Sequence, residues 1–510
     1  MPTVETELKL AVTPRTLARL AQDPLLGVAR GAPQQLLALY FDTSRRSLWR
    51  RKLTLRVRRE SGQWLQTVKG GGSVEAGLHR RIELTRPTAD AVPELDRLGE
   101  SEPEQAVAQV ARRAPLAEVF RVEIERDSRL LQRAPGEEIE VGLDRGRILG
   151  AGSRTPVCEI EFELKQGPPR ALFDLALAVA VRHTVRLEHR SKAERGYELI
   201  GAQRPAPMRG NLHVVRRGMS AGDAFHAAAT SCLEHLQANQ HGVVRGKDPE
   251  YLHQARVALR RLRSVIDAFD ALLPPEQRKP RVEALRQLAR ALGPARDWDV
   301  FATETLAPVL QQFPGHRGLA AIARASERLR EESNRAARRS LVARRSQRQL
   351  IELCGWIAAR SWQSGGDPSV DEAWNAPVRE HAAAVLSHYH RRLLKRRRGL
   401  ASAGLARLHR LRIATKKLRY AASYFAPLFP RARAAPMLVA LNDLQDLLGA
   451  VNDCASAPAL IDAATAAARG ALRPHARTII SHWNAAMLAE RRVALKRTWR
   501  AVCRCDAFWT

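Results

Sequence analysis

Aromatic residues make up only 5% of this 510-residue chain, and they are not interleaved with its basic runs. Proteins that bind single-stranded nucleic acid stack bases on aromatics set among cations, so no specific nucleic-acid partner is expected. The six cysteines include no CxxC pair, and only Cys503 and Cys505 stand close together. That argues against a disulfide framework or a zinc site and fits a reducing cytoplasm. No apolar run approaches ~20 residues, and the longest candidate, Ala171–Val181, is interrupted by Asp174. The N-terminus carries acids where a signal peptide carries basic residues, so a soluble, cytoplasmic protein with no membrane partner is expected. Also missing are GxxxxGK[ST], a strand-borne GxGxxG, HExxH and GxSxG, and with them the chemistries those motifs serve.

Acidic charge is scarce too, with 53 Asp+Glu against 84 Lys+Arg, a net charge of +31. The deficit is uneven. Residues 1–202 hold 33 basic against 28 acidic side chains, which leaves 51 against 25 for residues 203–510. A domain as basic as the second half calls for a polyanionic partner: nucleic acid, an anionic membrane or polyphosphate. Gln203–Gly210 has the Pro/Gly content of a linker, and the chain beyond it is rich in Ala, Leu and Arg, with breakers such as Gly293–Pro294, Gly365–Pro368 and Arg469–Pro474. The chain therefore reads as multidomain α+β: a strand-rich domain over 1–202, a linker over 203–214, and an all-α bundle of about ten helices over 215–505.

The strand-rich domain is organised around Val4–Leu10, where Glu5, Glu7 and Lys9 alternate with Thr6 and Leu8. A β-strand projects every second side chain to one face, so two carboxylates and an ammonium stand together, suited to a divalent cation beside a polyanion. The pattern recurs. Arg56 and Arg58 share a face in Leu53–Arg59, Glu159, Glu161 and Glu163 share one in Thr155–Lys165, and Lys69, Arg81 with Glu83, Arg121 with Glu123, and Glu138, Glu140 and Asp144 end or punctuate further alternating runs. One charged sheet face could be left in water; closed into a barrel, the same charges would need a bound polyanion and metal. Helix-like stretches at Pro14–Gln22, Thr88–Gly99 and Arg170–Val181 could cover the apolar outside and favour closure.

The ExExK strand, LRVR, HRRIEL, LDRG, EIEFEL and SKAERGY (Ser191–Tyr197) together resemble the CYTH superfamily, the triphosphate tunnel metalloenzymes, over roughly residues 1–200. The resemblance implies an eight-stranded antiparallel β-tunnel that holds a triphosphate substrate with Mg²⁺ or Mn²⁺. On that model Glu5, Glu7, Glu159 and Glu161 hold metal, with Asp144 and Glu163 contributing directly or through water. Arg56, Arg58, Lys69, Arg121 and Lys192 grip phosphates, and Lys9 adds positive charge beside the metal. His79 lies among charged neighbours without an assignable role.

The helical half contains a repeat. His253, Arg256, Arg260 and Arg263 recur 156 residues later as His409, Arg412, Lys416 and Arg419, and Ala291–Val300 is echoed by Leu447–Ala455. At ~100° per residue each set of four lies on one helical stripe, and like charges so placed repel unless an anion lies across them. This half resembles the CHAD domain, the conserved-histidine α-helical domain, over about 215–505. The resemblance implies two pseudo-symmetric halves, about 215–370 and 371–505, whose basic helices line a groove for inorganic polyphosphate. Asp297, Asp299 and Asp453 are expected to orient the arginines. Arg391–Arg398 reads as a solvated helix face or a second phosphate contact.

The expected function is metal-dependent hydrolysis of a triphosphate, inorganic triphosphate foremost, with an appended polyphosphate-binding domain and association with polyphosphate granules. The alternatives are a non-catalytic polyphosphate-binding protein, or an enzyme of the same family acting on thiamine triphosphate or a nucleoside triphosphate. The oligomeric state stays open.

Overall fold

The structure is a computed structural model that describes residues 3–60, 62–203, 205–246, 248–363, 368–396 and 403–510. The chain divides into two compact units, Met1–Ala206 with Val342–Ser361, and Pro207–Leu341 with Trp362–Thr510. Among the described residues no helix is long and apolar enough to cross a membrane.

The first unit is a closed antiparallel barrel. Its strands are β1 (Thr3–Ala11), β2 (Gln34–Asp42), β3 (Thr54–Glu60), β4 (Gln63–Glu75), β5 (Leu78–Thr88), β6 (Ala117–Ala134), β7 (Glu137–Gly150) and β8 (Ser153–Gln166). They run β5-β4-β3-β2-β6-β7-β8-β1, and β1 pairs with β5 to close the ring, while the short β9 (Arg186–Leu187) adds to β1. Alternation decides which face is which. Leu55, Val57 and Val68 point outward beneath Val107 and Val110 of α3 (Glu102–Arg113). Other cover comes from α1 (Pro14–Leu20), α2 (Ser47–Arg50) and α4 (Arg170–Arg182). Finally α5 (Lys192–Leu199) packs Ala193 and Tyr197 against Leu36, Ala38, Tyr40, Val122 and Ile124, which face the barrel interior.

The helix expected over Thr88–Gly99 does not form. Thr88 ends β5, and the Glu94 carboxylate takes hydrogen bonds from Thr88 Oγ1 (2.8 Å) and the Ala89 amide. Gln66 clamps the Glu94 backbone on both sides at 2.9 Å. These local bonds hold the stretch in a turn that keeps only one 3-10 element, Leu95–Arg97.

The second unit is helical: α6 (Ala221–Arg245), α7 (Pro249–Ala268), α8 (Pro275–Ala291), α9 (Gly293–Val300), α10 (Ala307–Gln312), α11 (Arg317–Val342), then α13 (Pro368–Asn375), α14 (Val378–Leu394), α15 (Leu405–Phe425), α16 (Arg431–Ala467) and α17 (Arg473–Arg504). The 156-residue offset of the sequence repeat carries the starts of α7, α8 and α11 onto those of α15, α16 and α17. It also carries Phe225 and Phe269 onto His381 and Phe425, and the halves meet there, with Phe269 stacked on His381 at 4.5 Å.

Two segments depart from the expected organisation. Between the copies, α12 (Arg344–Ala358) belongs to the barrel unit: Gln347 is fully buried and accepts the Leu187 amide (3.2 Å), and Gly355 leaves room for Phe173 of α4. The expected linker is also tied down. Met208 N–H donates to Asn239 Oδ1 (3.0 Å), Ser231 Oγ to the Asn211 carbonyl (2.9 Å) and Arg261 to the Gly210 carbonyl (3.2 Å), so the backbone from 208 onward is part of the helical unit. The turn at Gly365–Pro368 lies largely outside the described residues, as does the end of Arg391–Arg398.

Candidate active site and anion groove

The barrel encloses a cavity of about 930 Å³ lined by Glu5, Glu7, Lys9, Arg56, Arg58, Lys69, Arg81, Glu83, Arg126, Glu161, Glu163 and Lys192, among others. Most of the predicted residues therefore converge. Behind Lys192, Asp144 and Glu159 are fully buried. Asp144, Glu159 and Glu161 offer carboxylate oxygens within 4.8 Å of one another, an all-oxygen donor set that fits a hard divalent cation.

Cations of the chain itself engage these acids. Lys192 Nζ lies 2.6 Å from Asp144, 2.7 Å from Glu159 and 2.8 Å from Glu161. Lys9 links Glu7 (3.0 Å) to Glu161 (2.9 Å), and Lys69 links Glu5 (2.7 Å) to Glu83 (2.6 Å). Burial alone would raise the Glu161 pKa, but Lys192, Lys9 and Arg126 hold it well below the usual carboxylate range. Glu7 and Asp144 are likewise lowered against their burial, by Lys9 and by Arg126 with Lys192 respectively. Glu5 differs. Burial and the neighbouring carboxylates Glu7 and Glu83 outweigh Lys69 and raise it to about 7. Glu163 bonds Lys165 at 2.6 Å, on a strand position opposite Glu7.

On the facing wall Arg56 reaches Glu83 (3.1 Å) and Arg58 pairs with Glu60. Burial and the Arg56 charge lower the Arg58 pKa. His79 sits opposite Glu7 in register, fully buried, with neither ring nitrogen hydrogen-bonded among the described residues. Burial and Lys9 push it down to about 4, so it is a neutral imidazole near pH 7.

Arg121 is not in the site. It stands opposite Leu39, which faces outward, and its guanidinium is bound to Glu118 at 2.7 and 2.9 Å on the outer surface. The reason is α5: because it fills one end of the barrel with apolar side chains, β6 turns Val122 and Ile124 inward there, and the period-two series then reaches Arg126. Arg126 chelates Asp144 through two bonds of 2.6 Å and also binds Glu161. Arg126 and Glu83 are thus among the inward residues that the sequence pattern left without a role. For Glu83 the signal was present, two residues after Arg81.

In the helical unit, Arg256 and Arg260 of α7 and Arg412 and Lys416 of α15 form one cluster of mutually repelling charges. Asp297 faces Arg256 and Asp453 faces Arg412, so the acids recur at the same 156-residue offset. Asp299 does not orient the cluster. It binds Arg330 of α11 at 2.7 Å, and its counterpart position holds Ala455. Arg419 bonds Gln445 and Asn442 and lies 4.1 Å over the Tyr420 ring. His253 is half-buried, and burial with Arg296, Arg260 and Arg256 pushes it down to about 4. His409 is exposed and bonds Asn452 through Nδ1 (3.2 Å), while Arg263 is half-buried on α7.

Comparison with known proteins identifies the two domains. Residues 3–197 match the model of the CYTH domain, and residues 227–462 match that of the CHAD domain. The chain is a CYTH domain followed by a CHAD domain. It is 32% identical over 203 residues to an inorganic triphosphatase of Haemophilus influenzae, a match covering 39% of this chain and 55% of that protein, so the chain spans about half the length of this relative. It is 28% identical over 437 residues to an uncharacterized protein of Mycobacterium tuberculosis, covering 78% of this chain and 77% of that one. The crystal structure of the CHAD domain from the plant Ricinus communis aligns with a TM-score of 0.49 at 28% identity, over 59% of this chain and 98% of that one.

Proposed function

We propose that the CYTH barrel hydrolyses inorganic triphosphate with the help of a divalent metal, Mg²⁺ or Mn²⁺, and that the CHAD domain binds inorganic polyphosphate in the cytoplasm. The observation that carries the first part is the convergence of Asp144, Glu159 and Glu161 on one side of a cavity whose other wall presents Arg56 and Arg58. Glu161, Glu159 and Asp144 would hold the metal, with Glu7 and Glu5 contributing further along β1. The bound metal supplies charge neutralisation and polarisation at the phosphoryl group. The chain's own part is positioning, which is most of what phosphoryl transfer asks of a protein. Arg56 and Arg58 match phosphate oxygens with guanidinium forks, and Lys69 and Lys9 add point charges.

Support for an inorganic substrate comes from the cavity wall. Its lining aromatic, Tyr40, is buried and stacked on Phe120 at 4.6 Å, so it offers no ring face to a base or a thiazole. The name of the Haemophilus relative points the same way. Support for polyphosphate comes from the duplicated Arg256/Arg260 and Arg412/Lys416 cluster, whose repulsion a long anion would relieve. Phosphate release by purified protein from triphosphate, ATP, thiamine triphosphate and long-chain polyphosphate, each with Mg²⁺, Mn²⁺ or EDTA, tests the reading. Metal-dependent release from triphosphate in preference to the others is expected. Release from none of them would leave a binding protein in place of an enzyme.

A further inference from the structure

Lys192 is the first residue of α5, and its entry into the barrel is fixed by a capping box. Ser191 Oγ accepts the Glu194 amide (3.1 Å) while the Glu194 carboxylate accepts the Ser191 amide (2.6 Å). From that anchor the side chain runs to the centre of the three-carboxylate cluster, with its ammonium 2.6, 2.7 and 2.8 Å from Asp144, Glu159 and Glu161. A small divalent cation bound by the same oxygens would take the same central point, at about 2.0–2.1 Å from each for Mg²⁺. Two cations cannot share it.

Three observations separate Lys192 from the other bases of the site. Lys192 lines the cavity whereas Asp144 and Glu159 lie buried behind it, so an ion arriving from the cavity meets Lys192 first. The carboxylates also keep partners that do not depend on Lys192. Arg126 chelates Asp144 and binds Glu161, Arg195 binds Glu159 at 2.5 Å, and Lys9 binds Glu161 at 2.9 Å. If the ammonium withdraws, the donor set stays oriented. Finally, an ammonium on a flexible four-carbon stem can swing, unlike the guanidinium of Arg126, locked by two parallel bonds to Asp144.

We propose that Lys192 is a tethered cation that holds the metal position in the ligand-free protein, and that it is displaced into the cavity when a divalent ion enters, where it becomes a phosphate ligand. The inference rests on the reading of the barrel as a metal-dependent triphosphate site. It has a consequence that the reading alone lacks: metal without polyanion has to evict Lys192 into a cavity whose lining carboxylates Glu5, Glu7 and Glu163 already pair with other lysines of the chain, whereas the triphosphate brings unpaired charge to receive the ammonium. Lys192 therefore makes metal and substrate binding cooperative.

The test is Mn²⁺ binding, followed by calorimetry and by the free-ion paramagnetic resonance signal, on full-length protein with and without the non-hydrolysable imidotriphosphate. Lys192→Gln should bind Mn²⁺ at least about tenfold more tightly than wild type when no phosphate is present. It should also gain less than wild type when imidotriphosphate is added. Lys192→Arg keeps a permanent cation at the same position and should bind Mn²⁺ alone no more tightly than wild type. Thermal melting establishes that each variant is folded, and if Lys192→Gln has no cooperative melt the arginine variant carries the test. Equal or weaker binding by a folded Lys192→Gln, or tighter binding by Lys192→Arg, overturns the proposal while leaving the metal site intact. Failure of wild type to bind Mn²⁺ either alone or with imidotriphosphate removes the metal reading, and this inference with it.

Discussion

Lys416 occupies the place in the second copy of the helical repeat where the first copy has Arg260, and that one exchange should make polyphosphate binding depend on pH. Burial, then Arg260 and Arg412, push its ammonium down to about 6, with Asp453 of α16 opposing and Arg256 adding repulsion. Between pH 6 and its unfolded value of 10.5 the free protein thus carries a neutral amine at this position. A polyanion laid across the cluster favours the charged form, so binding takes up a proton. Affinity then falls with rising pH by up to about tenfold per unit, or roughly 50-fold and about 2.3 kcal/mol from pH 6 to pH 8, where half of the free protein is already protonated at pH 6, until the bound-state pKa is reached. Folding is linked to the same proton. The unfolded chain holds a proton the folded chain lacks, so this lysine makes the ligand-free protein less stable as pH falls from 10.5 towards 6. His253 of the same stripe adds no proton here, because it is held down to about 4 and stays neutral across this range. Anisotropy of a labelled long polyphosphate, with full-length protein in EDTA from about pH 5.5 to about pH 8.5, brackets the titration and reads the effect. Wild type should lose affinity with pH while Lys416→Arg, whose charge is permanent, should not. A flat wild-type profile, or the same slope in Lys416→Arg, refutes the reasoning.

Glu161→Gln removes a charged oxygen from the centre of the carboxylate cluster and should lower kcat/KM for triphosphate by about 100-fold or more at limiting metal, with partial rescue at high Mn²⁺, measured by phosphate release. Arg58→Lys should lower kcat/KM by about tenfold with little change in Tm, since Lys lacks the bidentate fork, whereas Arg121→Ala, on the outer surface, should change kcat/KM by less than about twofold. Arg260→Ala with Lys416→Ala should weaken long-chain polyphosphate binding by about tenfold or more and leave triphosphate hydrolysis within about twofold of wild type.

The barrel was legible because a period-two charge pattern survives folding wherever the opposite face is covered by an apolar helix. Glu5, Glu7 and Lys9 on β1, Arg56 and Arg58 on β3, and Glu159 and Glu161 on β8 all face inward for that reason. The pattern misled at β6, where the cover comes from inside: Tyr197 and Ala193 of α5 draw Val122 and Ile124 inward and put Arg121 on the outside. Nothing local to VFRVEIE distinguishes these cases, because the deciding contact is some seventy residues away in sequence. The 156-residue repeat was legible in the helical half, but α12 was not separable from it. Its sequence is amphipathic like its neighbours, and only the packing of Gly355 on Phe173 and the burial of Gln347 show which unit it serves.

The two sites handle charge in opposite ways, and salt should tell them apart. In the barrel every predicted metal-binding carboxylate already pairs with a lysine or arginine of the chain, so a metal and a triphosphate enter by exchanging partners within a nearly balanced set. The cation cluster of the helical unit has no such balance. Arg256, Arg260, Arg412 and Lys416 lie together with Asp297 and Asp453 as the acids acting on Arg256 and Arg412, and Lys416 forms no ion pair among the described residues. A polyphosphate chain there neutralises uncompensated cations and releases its counterions. For four such contacts, with Lys416 taking up its proton on binding, and a single-strand-like polyanion, log Kd should rise against log salt with a slope of about 3. The KM for triphosphate should move far less over the same range, because buried pairs are weakly screened. Titrating the full-length protein with long polyphosphate in EDTA, and assaying triphosphate hydrolysis with Mn²⁺, from about 50 to about 300 mM salt would compare the two directly. Equal slopes would mean that both ligands meet the same kind of surface, and the assignment of the short substrate to the barrel interior and the long one to the cation cluster of the helical unit would be lost.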